Sequence, residues 1–305
     1  MPVFVATVIA FGWLLPAAAE RTTLSLDGTW SVAEGIQPEK VPTSFNHKVA
    51  VPGLTNQAQP AFPDVDRYET HEFVFTMKHN EVLPKSEKCE VLGRTPQKRI
   101  YFWYERTFTA PAKRDSAMLV VNKAQFGTSV WLNGKNIGEH LGCFTAGRFD
   151  ATAAMNWKGE NRLLVRIGAH PGALPVWALY GTDGEKAVWT PGIYDRVSLL
   201  LADLPAIETI QVAPQIQSST ILVQTRLRNP GPARVAVISH RLKTWKDGQA
   251  VGQPVQQEVS LAAGEEKTIT QTVAVPGAVL WSPDNPFLYV LDTSTGGDSC
   301  STRFG

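Results

Sequence analysis

Glu139 and His140 stand side by side in the stretch VWLNGKNIGEHLGCFTAGRFDAT, Val130–Thr152. A carboxylate beside an imidazole is a pairing that general acid–base catalysis uses. Both lie in an alternating run, however, and sequential residues of a strand point to opposite faces. They cannot readily serve one substrate atom, so His140 is expected to hold structure or a hydrogen bond. Asp64, Asp66 and Glu69 form a small acidic cluster, which fits a solvated loop better than a cation site. His47, His71, His79, His140, His170 and His240 are scattered, with no His-x3-His or Cys-x2-Cys spacing, so neither a metal nor another cofactor is expected. Cys89, Cys143 and Cys300 are odd in number and widely spaced, which excludes a disulfide scaffold and leaves Cys89 and Cys143 open to pairing if the fold joins them. The chain has nine tryptophans, enough for a core, for platforms that stack on sugar rings, or for both.

The bulk composition narrows the partners. Hydrophobic residues make up 43% of the 305, as in a chain with one or two cored domains rather than a disordered one. Lys and Arg number 29 against 28 Asp and Glu, and no long basic run stands out, which argues against nucleic acid as a partner. The opening MPVFVATVIAFGWLLPAAAERTT reads as an export signal over residues 1–19, with an apolar run, Ala17-Ala18-Ala19 as a small-residue cleavage site, and Glu20 as the first mature residue. No Lys or Arg precedes the apolar run, and a buried N-terminal strand is the other reading. The run is short for a membrane span, and no second one is longer. The expectation is an exported protein, periplasmic or extracellular, without a membrane span.

These residues sit in a chain that reads as strands throughout. Leu26–Glu34, His47–Gly53, Ile100–Pro111, Ala117–Ala124, Asn161–Gly168 and Gly192–Ala202 are apolar or alternating runs closed by Gly, Pro or Asn. Asn133-Gly134 suits a two-residue hairpin turn with positive φ at both positions, with Val130 and Leu132 on one face and Trp131 on the other. From Leu204 a second rhythm of even strands begins, with turns at Asn229-Pro230-Gly231, Asp247-Gly248 and Ala263-Gly264, as in a β-sandwich of about 100 residues. No amphipathic helix of normal length and no strand–helix alternation is legible, so a Rossmann unit or a β/α barrel is not expected within these residues. Ala61–Arg99 breaks the pattern, and an irregular stretch of that length is commonly functional or mobile.

In order and spacing, LDGTWSV, VAVPG, FWYERTFTAP, VWLNGKNIGEHLGCFTAGRFDAT, GENRLLVRIG and VWTPGIYDRVSLL resemble the amino-terminal region of family 2 glycoside hydrolases, the β-galactosidase and β-glucuronidase group. LWSPDNPFLYVLDT resembles the end of that family's immunoglobulin-like domain. The resemblance implies an all-β chain: a galactose-binding-domain-like jelly roll over 20–202, with an irregular insertion at 61–99, then an immunoglobulin-like β-sandwich over 203–305. It also implies hydrolysis of O-glycosyl bonds by two glutamates, which in a retaining enzyme lie about 5–5.5 Å apart. In the family both are carried by a (β/α)8 barrel of ~250 residues. The chain reaches only STRFG at Gly305, and Glu105, Glu139, Glu160 and Glu185 match no catalytic position. No catalytic residue is therefore assigned, and the chain alone is expected to be inactive.

The family's front domain lends polar contacts to the sugar pocket. The matching places here are the loop YGTDGEKAVWTPGIY, with Asp183 or Glu185 as its acid, and Arg99 just before the aromatic strand. Neither place carries the residue type of characterised β-galactosidases, so galactose specificity is not implied. Trp177 and Trp189 flank the loop as platforms for a sugar face, with core packing the other role for Trp189. Three readings follow: the carbohydrate-binding and scaffold part of a family 2 enzyme, a free-standing carbohydrate-binding module, or an assembly partner of a chain that carries the barrel.

Overall fold

Alternation of apolar and polar residues builds strands along the whole described chain. The computed structural model describes residues 20–63, 65, 79, 81, 99–175, 177–180 and 190–305. The export-signal segment, Asp64, Asp66, Glu69, Cys89, Asp183, Glu185 and Trp189 lie outside those residues. Two compact units are present, Thr22–Leu201 and Ala202–Gly305, the second including Glu20 and Arg21. Among the described residues the named elements are β-strands and single 3-10 turns.

The first unit contains β1 (Thr22–Ser25), β2 (Gly28–Gly35), β3 (His47–Val51), β4 (Gly53–Leu54), β5 (Tyr101–Thr109), β6 (Ser116–Val121), β7 (Ala124–Gln125), β8 (Thr128–Leu132), β9 (Lys135–His140), β10 (Gly147–Asp150), β11 (Glu160–Gly168), β12 (Gly192–Ile193) and β13 (Val197–Ala202). A six-stranded sheet runs β3-β2-β5-β11-β8-β9, a four-stranded sheet β1-β13-β6-β10, and a small sheet β4-β12-β7. The pairs are antiparallel. The core contains Trp30, Phe102, Tyr104, Val130, Leu132, Leu163, Val165, Ile167, Leu119 and Leu199. On the other face of the six-stranded sheet, Trp103, Trp131 and Leu164 pack under Val41, Phe45 and Tyr101. Arg166 lies over the rings of Tyr101 and Trp131, at 4.6 and 5.4 Å from their centroids. The expected split of Val130 and Leu132 from Trp131, and of Leu163, Val165 and Ile167 from Leu164 and Arg166, is thus present. Asn133 (φ 52°) and Gly134 (φ 82°) make the β8–β9 turn as expected.

The second unit contains β14 (Ala206–Gln215), β15 (Thr220–Asn229), β16 (Arg234–Thr244), β17 (Val255–Leu261), β18 (Glu265–Ala274), β19 (Tyr289–Ser294) and β20 (Ser299–Phe304). They form two sheets, β14-β15-β18 and β17-β16-β19-β20. Two apolar clusters fill it, one around Val223, Leu242, Val273 and Leu291, the other around Ile207, Leu227, Ile238 and Ile269. Buried polar Thr225, Gln271, His240 and Thr293 stand on the same inward-facing rows as those clusters. The segment ending STRFG forms edge strand β20 against β19. Its side chains are mostly polar, so backbone pairing rather than a strong apolar alternation holds it.

Candidate functional site at the strand ends of the first unit

The register of the six-stranded sheet gathers several chain segments at one end. Gly35 at the end of β2 pairs Tyr101 at the start of β5, and Tyr101 pairs Gly168 at the end of β11. Thr128 at the start of β8 pairs His140 at the end of β9. His47 opens β3 at the same end of its strand. Residues 36–46, 141–146 and the long 169–191 connection therefore all leave from this end, and Arg99 enters β5 there. The Asn133-Gly134 turn and the 110–115 and 151–159 connections lie at the opposite end. Loops carried on rigid strand ends are where sandwiches place binding groups.

The base of the 169–191 connection is tied down on both sides. On the outgoing side the Ala169 N–H donates to the Ile100 carbonyl at 2.8 Å. Leu174 and Tyr180 pack on buried Phe126 and Cys143. On the returning side the Thr55 N–H and hydroxyl donate to the Pro191 carbonyl, each at 2.9 Å, and the Gln125 amide donates to the Thr190 carbonyl. Between these anchors Trp177 is 74% exposed and Leu179 is exposed beside it. Trp177 is thus mostly exposed among the described residues, unlike Trp30 and Trp103, which are fully buried. Asp183, Glu185 and Trp189 belong to the same connection but fall outside the described residues.

Arg99 is placed differently from an open sugar contact. It is 5% exposed, and its guanidinium meets the Glu34 carboxylate at 2.6 Å. It also donates to the Pro63 carbonyl and stands 5.3 Å from the centroid of the Phe102 ring. Arg99 forms the floor of a cleft of about 670 Å³ whose polar lining includes Glu34, Lys40, Asn46 and His47. That volume is in the range of small-molecule clefts. The His47 ring stacks on Phe62 at 3.8 Å, and its Nδ1–H donates to the Pro60 carbonyl at 2.6 Å, which fixes the wall. The Arg99 cleft and the Trp177 segment share one sheet end.

His140 serves its own loop. Its Nε2 reaches the Thr145 hydroxyl at 2.9 Å and carbonyl at 3.1 Å, while neighbouring Glu139 is exposed. A Cβ on Gly142 would stand 2.3 Å from the Thr145 hydroxyl and 2.7 Å from His140 Nε2, so only glycine lets the loop close on the ring. Burial pushes the Cys143 thiol above its ordinary value, which keeps it protonated and unreactive. Burial likewise raises the Tyr194 phenol, which donates to the Cys143 carbonyl. Among the described residues Cys143 is a free thiol, and its pairing with Cys89 lies outside them. Among the described residues no cluster of His, Cys, Asp or Glu is arranged to hold a metal. Phe144, 53% exposed on the 141–146 loop, had no assignment from sequence.

Residues 91–173 match the family model described as glycosyl hydrolase 2 galactose-binding domain-like, and residues 206–305 match glycosyl hydrolases family 2. The chain thus belongs to glycoside hydrolase family 2, as its galactose-binding-like and immunoglobulin-like domains. A β-glucuronidase from Bacteroides uniformis superposes with a TM-score of 0.68 at 20% identity, covering 93% of this chain and 32% of that one. A putative β-galactosidase from Bacteroides fragilis gives 0.67 at 18%, covering 95% and 41%. A Faecalibacterium prausnitzii β-glucuronidase gives 0.60 at 22%, covering 96% and 47%. The chain spans about a third of the length of the first of these relatives. No curated protein matches it.

Proposed function

We propose that this chain is the sugar-facing, non-catalytic front of an exported family 2 glycoside hydrolase. The observation that carries the reading is the gathering of exposed Trp177 and the Arg99-floored cleft at one end of one sheet. An aromatic face and a few convergent polar groups suit a saccharide, whose rings have apolar faces and hydroxyl rims. Asp183, Glu185 and Trp189 belong to the same reading, as further contacts from the 169–191 connection. The carboxylate nearest the cleft, Glu34, is held by Arg99 and is not posed as a proton donor. Acid/base and nucleophile are assigned to a catalytic polypeptide beyond these residues, as in the relatives' greater length. Export rests on the apolar opening and the Ala17–Ala19 site, with a mature chain starting at Glu20.

The test pairs binding with turnover. The purified chain is titrated with a panel of methyl and aryl glycosides by calorimetry, and incubated with chromogenic glycosides. Weak saccharide binding without hydrolysis is expected. Hydrolysis that tracks the chain through purification overturns the non-catalytic assignment, and absence of binding across the panel overturns the sugar-facing one.

A further inference from the structure

The outer face of the four-stranded sheet in the second unit holds a cleft, and the strand pairing explains it. Strand β17 runs beside β16 from Arg234 to His240, whereas β19 pairs β16 only from Ser239 to Thr244. Past Ser294 the chain turns away from β16. There the Thr295 hydroxyl donates to the Pro205 carbonyl at 2.7 Å, and the Asp203 N–H donates to the Gly297 carbonyl at 3.0 Å. A cleft of about 740 Å³ occupies the space left beside the first half of β16. That volume suits a small organic molecule. Its wall is closely packed: a Cβ on Gly297 would stand 2.4 Å from the Leu204 carbonyl oxygen.

Alternation along β16 decides what the cleft presents. Ala236, Ile238, His240 and Leu242 are buried in the sandwich, so Val235, Val237, Ser239 and Arg241 form the outward row. Gln256 and Ser294 stand opposite Ser239 on the flanking strands and line the same cleft. Val235 and Val237 are 60% and 41% exposed, neighbours on that row. The Ser239 Oγ is buried without a hydrogen-bond partner. Arg241 is exposed and, among the described residues, has neither an ion-pair nor a hydrogen-bond partner. Asp292, the one carboxylate of the lining, is already engaged by Lys243 at 2.6 Å and by the Ser301 hydroxyl at 2.5 Å. Glu258, opposite Val237 on edge strand β17, is outside the lining. Arg234, about 23 Å back along the strand, donates to the Leu204 carbonyl at 2.7 Å and braces the far wall.

We propose that this cleft binds a small amphipathic organic anion. Arg241 takes its oxyanion, the Ser239 hydroxyl and the Gln256 amide donate hydrogen bonds to it, and Val237 and Val235 carry its apolar body. The charge of the occupant follows from the lining, where the carboxylate is neutralised and the Arg241 guanidinium is not. A guanidinium fork matches the oxygens of a carboxylate, sulfate or phosphate. A buried hydroxyl without a partner costs free energy that such a ligand recovers. The apolar body follows from the two exposed valines, which a bare inorganic ion would leave in water.

The test titrates the isotope-labelled chain with benzoate, phenyl sulfate and phenyl phosphate, with benzamide as the neutral isostere and inorganic phosphate as the bare ion, and follows backbone amide shifts. At least one aromatic anion is expected to saturate with shifts at Val237, Ser239, Arg241 and Gln256, and the tightest of the three identifies the oxyanion. Benzamide and inorganic phosphate are expected to bind about tenfold more weakly or not at all. Arg241→Gln should weaken the anion about tenfold and leave benzamide unchanged, and Val237→Thr should weaken it about threefold. Both side chains are exposed, and an unchanged spectrum away from the cleft shows that each variant is folded. Absence of saturable shifts at these residues with all three anions overturns the site. Benzamide binding as tightly as benzoate, or wild-type affinity in R241Q, overturns Arg241 as the anion's partner. Inorganic phosphate binding as tightly as phenyl phosphate overturns the amphipathic ligand.

Discussion

The Arg99 guanidinium and the Glu34 carboxylate lie 2.6 Å apart under the strand ends that carry the candidate site. The pair joins the start of β5 to the end of β2 and floors the cleft. Glu34 keeps 25% side-chain exposure, so the pair is only partly desolvated. Arg99→Ala is therefore expected to lower stability by about 1–3 kcal/mol, less than a fully buried pair would lose. Thermal denaturation of R99A, E34A and the double variant should give a non-additive cycle. Additive losses would show that the two side chains do not work as a unit.

Trp177 should behave in the opposite way. Its side chain is mostly in solvent, so Trp177→Ala is expected to change stability by less than about 0.5 kcal/mol. Saccharide affinity should fall about tenfold, or about 1.4 kcal/mol. Calorimetric titration of wild type and W177A reads both constants. Equal affinities would remove the indole from the site.

The sequence made the framework of the first unit legible because local chemistry decides it. Period-two alternation sorted Val130 and Leu132 from Trp131, and Asn133-Gly134 announced its own turn. The roles of Trp177 and Arg99 were not legible in the same way. Whether a tryptophan is platform or core depends on what packs over it, and Trp30 and Trp103 went to the interior while Trp177 did not. Arg99 was read as a surface contact, but its partner Glu34 is distant in sequence and meets it only through β2–β5 pairing. Strand β20 was missed because its polar residues give little alternation and its pairing with β19 supplies the order.

The buried polar layer of the second unit predicts a pH response. His240 is fully buried, and its Nδ1 meets the Thr293 hydroxyl at 2.9 Å. Burial depresses the imidazole below its ordinary 6.5, partly offset by the neighbouring Gln271 side chain. Above that ordinary value His240 is neutral folded and unfolded, and its contribution is intact. As pH falls below it, the unfolded chain binds a proton that the folded one resists, so stability is lost towards the folded value, with a limiting slope of about 1.4 kcal/mol per pH unit. Denaturant unfolding from pH 7.5 to 5 should show this slope in wild type and a shallower one in His240→Gln. Identical slopes would refute the assignment.

Asp298 is a second buried determinant of that unit. Its carboxylate has no exposed side-chain surface, accepts Arg21 Nε–H at 3.0 Å and accepts the Ile207 N–H at 2.7 Å. Asp298→Ala strands the Arg21 charge and an amide together, and about 3–5 kcal/mol of destabilisation is expected by chemical denaturation. A loss under about 1 kcal/mol would mean that water replaces the carboxylate freely.

Backbone amide shift mapping during saccharide titration tests the central claim most directly. The perturbed residues should cluster at His47, Arg99, 141–147 and 169–180, the segments that leave one end of the six-stranded sheet. Perturbations confined to the Asn133-Gly134 end, or to the second unit, would contradict the claim that this chain presents its strand-end loops to sugar.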